Sequence, residues 1–147
     1  MNNIGISYYK LSDYNKSLDY HFKALKLREE LGNKKDISIS CNNIGNVYEA
    51  KGDYANALEY KTKGLQLRKE TGDKKGIAIS YNNIANLYYS QSDYYKALEY
   101  ALDAIKIYEE INEKQGITAS LNNIGLIYKN KGELSKALEI YDRSLKI

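Results

Sequence analysis

The chain contains no proline and only one cysteine and one histidine. Without proline, nothing in the sequence interrupts a helix at a fixed point. The single cysteine, Cys41, excludes an internal disulfide and is compatible with a reducing compartment. No run approaches the ~18 consecutive apolar residues of a membrane-spanning helix, and no secretory signal pattern opens the chain. We therefore expect a cytoplasmic protein that does not interact with membranes.

Charge is nearly balanced, with 22 basic and 19 acidic residues and a net charge of +3. No block of lysine and arginine is longer than two residues, so the basic stretch typical of nucleic-acid binding is missing. Hydrophobic residues make up 43% and charged residues 28% of the chain, which is typical of a globular protein. Nucleic acid is not expected among its partners.

One tetrapeptide recurs at a fixed spacing of 40 residues. It reads Asn-Asn-Ile-Gly at 2–5, 42–45 and 122–125, and Asn-Asn-Ile-Ala at 82–85. Such a period predicts a solenoid, in which each repeat buries its apolar face by stacking on a neighbour. We expect a single array over 1–147, with repeats at 1–40, 41–80, 81–120 and 121–147, the first and last of them incomplete.

Each repeat has two apolar-periodic stretches separated by turn signals, which predicts a pair of helices. Asp13, Asp53 and Asp93 suit the N-cap of the second helix, and Gly52 suits the end of the first. We predict first helices near 1–11, 36–51, 75–91 and 116–131, and second helices near 13–31, 53–71, 93–111 and 133–147. The predicted fold class is therefore all-α, with eight helices in about four repeats.

One face of each first helix is apolar at helical spacing and is expected to form the core. In the second repeat this face carries Cys41, Ile44 and Gly45. Glycine inside a helix costs about 1 kcal/mol relative to alanine, so its recurrence indicates a close approach between helices. We expect small residues to oppose each other across each helix pair: Gly45 with Ala57, and Ala85 with Ala97.

The opposite face of the first helices is neither charged nor plainly apolar. One asparagine stands before the Ile-Gly or Ile-Ala pair of every repeat, and we call these four the asparagine column: Asn3, Asn43, Asn83 and Asn123. Asparagine is a mediocre helix former because its side chain competes for backbone hydrogen bonds, so the column needs an explanation. The other candidate binding residues on or beside this face are Asn46, Asn86, Ile39, Ile79, Tyr9, Glu49, Tyr89 and Asn130.

The repeated residues resemble those of the tetratricopeptide repeat. In the third repeat the resemblance is carried by Tyr81, Ile84, Ala85, Tyr88 and Ala97, and it extends over the whole chain. The unit is longer than the usual 34 residues, which is similar to the extended variant of kinesin light chains and many bacterial signalling proteins. The resemblance implies antiparallel helix pairs stacked into a right-handed superhelix whose first helices line a concave groove.

Two binding chemistries are known in such grooves. A clamp of lysine and arginine holds a C-terminal carboxylate, but the matching positions here include Ile39, Asn43 and Ala119, so a clamp is not expected. The other is the asparagine ladder of the O-GlcNAc transferase superhelix, which the asparagine column matches by its place before the Ile-Gly pair. An amide can donate to a peptide carbonyl and accept from a peptide N–H, so a ladder holds a peptide with little regard to its side chains.

The candidates also have structural interpretations. The asparagine column could bond neighbouring helices and stiffen the array. For the asparagines one position earlier, Asn2, Asn42, Asn82 and Asn122, the structural role is the prediction. Cys41 is expected to be a buried hydrophobe, and His21 has neither a second histidine nor a carboxylate at metal-ligand spacing. No metal site and no catalytic residue are predicted.

The leading hypothesis is a non-catalytic scaffold that binds an extended peptide or a partner helix through the asparagine ladder. One alternative is a structural unit that stacks on other copies through its ends. Another is the sensor or regulatory segment of a larger bacterial signalling protein. No enzyme activity and no cofactor are expected, and the partner is a protein, a peptide or a second copy of the chain.

Overall fold

The computed structural model describes residues 1–147 and contains eight helices and no strand. The first helices of the four repeats are α1 (Asn2–Lys10), α3 (Lys34–Ala50), α5 (Lys74–Ser90) and α7 (Lys114–Asn130). The second helices are α2 (Tyr14–Leu31), α4 (Tyr54–Thr71), α6 (Tyr94–Glu110) and α8 (Leu134–Leu145). The prediction of an all-α fold with eight helices is confirmed.

Aspartate starts three of the second helices, as predicted. The side chains of Asp13, Asp53 and Asp93 each accept a hydrogen bond, at 3.1 to 3.2 Å, from the backbone N–H three residues further on. Each bond satisfies an N–H that has no partner inside its helix. Hydrogen bonds from Lys16 and Asn56 lower the pKa of Asp13 and Asp53 respectively, because they favour the charged carboxylate.

The later first helices start before the predicted positions. α3, α5 and α7 begin at Lys34, Lys74 and Lys114, whereas the sequence predicted 36, 75 and 116. In α3 the side chain of Asn33 accepts a hydrogen bond from the backbone N–H of Asp36 at 3.2 Å. The predicted boundary is wrong by two residues because this cap lies before the lysine pair and not after it.

The turn inside each helix pair contains one residue with a left-handed backbone in all four repeats. Glycine occupies it at Gly52 (φ 76°) and Gly132 (φ 78°), and serine occupies it at Ser12 (φ 58°) and Ser92 (φ 60°). Glycine adopts this conformation readily, whereas a residue with a Cβ is strained by roughly 1 kcal/mol. The same turn is therefore relaxed in two repeats and strained in the other two.

The helices form two compact units, which we call the first unit (Met1–Asp73, with α1 to α4) and the second unit (Lys74–Ile147, with α5 to α8). Within each unit the second helix of one repeat packs on the first helix of the next, and the two first helices also touch. Each unit therefore contains two stacked repeats. A single array over 1–147 stays a prediction.

Each unit has its own apolar core. In the first unit it consists of Leu18, Leu25, Ile37, Cys41, Ile44 and Val47. In the second unit it consists of Ala85, Ala97, Ala101, Ile105, Leu121, Ile124 and Ile127. Cys41 is fully buried, as predicted, and burial raises the pKa of its thiol. None of the helices has the length and apolar content that a bilayer crossing requires.

The glycine of the second repeat is a point of close approach. A Cβ placed on Gly45 would lie 3.2 Å from the backbone oxygen of Ala57, so the predicted opposition is present. It would lie closer still, at 2.8 Å, to Cγ of Lys61, one turn further along α4. Lys61 is only 3% exposed, and its ammonium contacts Glu49 at 2.9 Å and Asn46 at 2.7 Å. A lysine is tolerated here because its charge is paired and hydrogen-bonded.

The same opposition recurs in every repeat between residues 16 positions apart, and we call these the facing pairs. Three glycines face a large side chain and one alanine faces another alanine: Gly5–His21, Gly45–Lys61, Gly125–Tyr141 and Ala85–Ala101. Glycine on the first helix thus faces a large side chain on the second helix, and alanine on the first helix faces a small one. Sequence reasoning placed the small residues correctly but did not identify these partners.

Candidate functional site

In the first unit the asparagine column lies where the two first helices adjoin. Asn43 on α3 donates through Nδ2 to Oδ1 of Asn2 on α1 at 3.0 Å. The same oxygen of Asn2 pairs with Nδ1 of His21 on α2 at 3.1 Å. Asn43 therefore uses one of its two N–H donors within the protein, while its carbonyl oxygen makes no hydrogen bond.

The other members of the column also reach the surface. Asn3 is exposed, and Asn83 and Asn123 are half-buried. By contrast, Asn82 is buried, and its Nδ2 donates to Oγ of Ser120 at 2.8 Å, which joins α5 to α7. The structural role predicted for the position before the column is therefore confirmed at Asn82, and Asn2 plays the same part between α1, α2 and α3.

A cavity of about 300 Å³ opens beside Asn43 in the first unit. Its lining residues come from α1, α2 and α3: Ile6, Tyr9, Lys10, His21, Asn43, Asn46 and Val47. Ile6 and Val47 form the apolar part of the wall. Asn46 accepts a hydrogen bond at Oδ1 from the buried Lys61, so its amide hydrogens remain for another partner. We call this space the first-unit cavity.

The second unit has a smaller cavity at the corresponding place, 80 residues further along the sequence. Its volume is about 50 Å³, and its lining residues are Asn86, Tyr89, Asn123, Leu126 and Ile127. Tyr89 and Asn123 repeat Tyr9 and Asn43, whereas Leu126 replaces Asn46 and Asn86 replaces Ile6. The wall has no counterpart of Lys10 or His21. The hydroxyl of Tyr89 accepts a hydrogen bond from Asn130, which links α5 to α7. This second-unit cavity is therefore both smaller and more apolar.

The structure brings six of the twelve predicted binding residues to these two cavities: Tyr9, Asn43 and Asn46 in the first unit, and Asn86, Tyr89 and Asn123 in the second. Glu49 lies outside the first-unit cavity, and its carboxylate is paired with the ammonium of Lys61. Ile39 is half-buried and Ile79 is 36% exposed, and neither lines a cavity wall. These residues could contact a partner only along the rest of the first-helix face.

The residue that sequence reasoning missed at this site is His21. It is 1% exposed, and burial lowers the pKa of its imidazole, with a smaller contribution from the nearby positive charge of Arg28. Because Oδ1 of Asn2 can only accept, Nδ1 of His21 must carry the proton and donate. The signal in the sequence was indirect, since only the glycine at Gly5 leaves room for the ring.

No group of three or more histidine, cysteine, aspartate and glutamate side chains is placed to hold a metal ion. The first-unit cavity holds one histidine and no serine, cysteine or carboxylate on its wall. The cavity offers hydrogen-bonding groups, one cation at the rim (Lys10) and an apolar part of the wall. Such a site is suited to holding a polar group.

The chain belongs to the tetratricopeptide repeat family, whose sequence model matches residues 1–70 and 76–147. The resemblance noted from the repeated residues is thereby confirmed over nearly the whole chain. No curated protein sequence matches the chain.

Solved structures of repeat proteins are similar to the chain in fold. BtubC from P. vanneervenii is 22% identical with a TM-score of 0.85, and the match covers 99% of this chain and 60% of that one. A Rap protein complexed with competence and sporulation factor is 25% identical with a TM-score of 0.88, over 99% of this chain and 41% of that one. A kinesin light chain-like protein from Podosopora anserina is 14% identical with a TM-score of 0.81, over 99% and 72%. The chain thus spans less than two thirds of BtubC and of the Rap protein.

Proposed function

We propose that this protein is a non-catalytic scaffold that captures an extended peptide on the first-helix face of each unit. The asparagine column contacts the peptide backbone, and the two cavities receive side chains. The observation that supports this most directly is Asn43, which lies at a cavity wall with an unused carbonyl oxygen and a second N–H donor. An amide so placed can accept from a peptide N–H and donate to a peptide carbonyl.

The family and one of its structures are in keeping with this proposal. The chain belongs to a repeat family whose arrays present extended binding surfaces. The Rap protein of similar fold is a complex with competence and sporulation factor, so a protein that contains this arrangement of helices binds a partner. The lack of an activated nucleophile or a carboxylate pair on the cavity walls supports binding without catalysis.

Replacing Asn43, Asn83 and Asn123 together by alanine tests the ladder. Each lost hydrogen bond is worth about 0.5–1.5 kcal/mol, so the loss of one bond at each of the three positions should weaken retention of peptides by roughly 10- to 1,000-fold. The measurement is retention of a pool of random short peptides, blocked at both ends, on immobilised protein. Asn15→Ala, an exposed asparagine on a second helix, is the matched control and should leave retention unchanged. Equal retention by the triple variant, with helical circular dichroism intact, would refute the ladder.

A second candidate function is self-association through α8. Leu134, Leu138 and Leu145 are 60%, 69% and 88% exposed, and their spacing places them on one stripe of the helix. At the position that corresponds to Leu138, Leu18 in the first repeat is only 8% exposed. A stripe of exposed leucine at a position that is buried elsewhere in the chain favours a contact with a second copy.

A further inference from the structure

We infer that the first-unit cavity is a specificity pocket for a carboxamide side chain, asparagine or glutamine, of the captured peptide. This inference rests on the peptide capture proposed above for its biological ligand. The pocket itself is a physical feature of the first unit, so it can be probed with a small amide in the absence of any peptide. The argument follows from one buried ring and the two amides beside it.

The imidazole of His21 presents an unused acceptor to the cavity. Nδ1 is committed as a donor to Oδ1 of Asn2 at 3.1 Å, so in the neutral ring Nε2 carries only a lone pair. Nε2 makes no hydrogen bond within the protein. The ring lines the cavity although only 1% of the residue is exposed, so the unpartnered Nε2 is the group through which His21 can bind a ligand there.

The other polar groups of the wall complete the pattern. Asn43 contributes a carbonyl oxygen as a second acceptor, because its bond to Asn2 is made through Nδ2. Asn46 contributes N–H donors, because Lys61 holds its carbonyl oxygen at 2.7 Å. The cavity therefore offers two acceptors and an amide donor. A primary carboxamide has the complementary set, with two N–H donors on one nitrogen and one carbonyl acceptor.

Other side chains match this wall less well. A carboxylate could pair with Lys10 at the rim, but inside the cavity it would set its lone pairs against that of Nε2 and that of the Asn43 carbonyl oxygen. The ring resists protonation because burial and the charge of Arg28 lower its pKa. A hydroxyl has only one hydrogen for two acceptors. An apolar side chain could pack on Ile6 and Val47 but would leave the polar groups of the wall without partners, which a site built for hydrogen bonding penalises.

The second-unit cavity provides an internal contrast. Ala101 stands at the position of His21, and Leu126 at the position of Asn46, so both groups are replaced by apolar ones, and the amide of Asn86 lies instead at the position of Ile6. Its volume of about 50 Å³ is also much smaller than the 300 Å³ of the first-unit cavity. The preference for a carboxamide should therefore depend on the first unit alone.

Binding of three peptide pools tests the preference. The pools carry glutamine, glutamate or methionine at one fixed position and random residues elsewhere, since these three side chains are similar in length and differ in hydrogen bonding. The wild type should retain the glutamine pool about tenfold more strongly than the methionine pool, the value of roughly one unmet hydrogen bond. His21→Phe keeps a ring against Gly5 but lacks Nε2, and it should reduce the preference to within about twofold. Tyr141→Phe, which changes the facing pair of the fourth repeat and lies outside the first-unit cavity, is the control and should keep it.

The single histidine of the chain permits a second, direct test. The imidazole nitrogen resonances should show a protonated Nδ1 and an unprotonated Nε2 at neutral pH. Propionamide should move the Nε2 resonance, and propionate at the same concentration should not. The proposed carboxamide pocket would be overturned by any of three results: a preference that persists in His21→Phe, an Nε2 resonance that does not respond to propionamide, or an equal response to propionate. Failure of the wild type to retain any pool would instead contradict peptide capture, and the response to propionamide would still decide the pocket.

Discussion

Ser12 and Ser92 hold the left-handed backbone that glycine holds at the equivalent Gly52 and Gly132. The turn geometry is the same in all four repeats, so the sequence around it and the helix packing enforce it whatever residue is present. Serine must then carry the strain of its Cβ, which is of the order of 1 kcal/mol. Glycine avoids that strain but loses more chain entropy on folding, so the net difference is smaller.

Ser92→Gly should therefore raise the free energy of unfolding by about 0.5 kcal/mol, and Gly52→Ser should lower it by about the same amount. Urea unfolding followed by helical circular dichroism measures both changes. Ser92→Ala is the control, because alanine keeps the Cβ and the strain and should leave stability within about 0.5 kcal/mol of the wild type. A loss of stability in Ser92→Gly would mean that the serine side chain contributes more than the strain removes.

At the residue scale, the sequence could predict the features that depend on neighbours close by in the chain. The aspartate caps were predicted correctly because a cap joins residues three apart. His21 was not identified because its surroundings come from Gly5 and Asn2 on one helix and Asn43 on another. A helical wheel describes one helix at a time and cannot show which helices meet at a ring.

At the scale of the helices, the facing pairs determine how closely the two helices of each repeat can pack against each other. Gly125 lies so near the ring of Tyr141 that a Cβ would come within 2.4 Å of it, whereas Ala85 already carries a Cβ and faces only Ala101. A ring that must move by this much is an overpacked contact, and such contacts cost about 1–3 kcal/mol. Alanine would otherwise be the better helix former by about 1 kcal/mol.

Gly125→Ala should therefore destabilise the protein by about 1–2 kcal/mol. In a Tyr141→Ala background the same substitution should instead stabilise it by about 1 kcal/mol, because only the helix propensity remains. A double-mutant cycle of urea unfolding measures this reversal of sign. Ala85→Gly serves as the comparison and should lose about 1 kcal/mol with no partner effect. Additive changes at Gly125 and Tyr141 would show that the contact does not limit the packing.

The same scale explains which parts of the fold and of the site were predictable. The period, the number of helices and the polar first-helix face follow from apolar spacing, and the structure confirms the helices. Lys61 could not be predicted as a buried residue, since lysine is normally exposed and its burial depends on Glu49 and Asn46 from the neighbouring helix. The cavities likewise depend on how two first helices and a second helix meet.

Across the whole molecule, equivalent ion pairs recur in both units: the first pair of each unit joins the two helices of one repeat, and the second pair joins neighbouring repeats. In the first unit they are Lys34–Glu70 at 2.9 Å and Lys63–Glu29 at 3.2 Å. In the second unit they are Lys74–Glu110 at 3.3 Å and Arg143–Glu109 at 2.6 Å. All are solvent-exposed, and such pairs contribute about 0–1 kcal/mol each. The apolar cores therefore supply most of the stability, and the pairs favour the register within and between repeats.

At this scale the second candidate function predicts that molecular mass depends on concentration. Self-association through the α8 stripe should raise the weight-average mass as the protein is concentrated, because it removes exposed leucine from water. Light scattering coupled to size exclusion measures this mass. Leu138→Lys should keep the protein monomeric, and Leu27→Lys, an exposed leucine on another helix, should not. A wild type that stays monomeric at every concentration would contradict the candidate.

The facing pairs also constrain how a gene with such similar repeats can change. Similar repeats invite recombination out of register, and a crossover in the loop between two repeats transfers each facing pair whole. A crossover inside a repeat separates the partners: a chain that joined α5 to α8 would set the Cβ of Ala85 against the ring of Tyr141, in the space that Gly125 leaves. The heritable module of this protein is therefore the helix pair and not the helix, and viable length variants should differ by whole repeats.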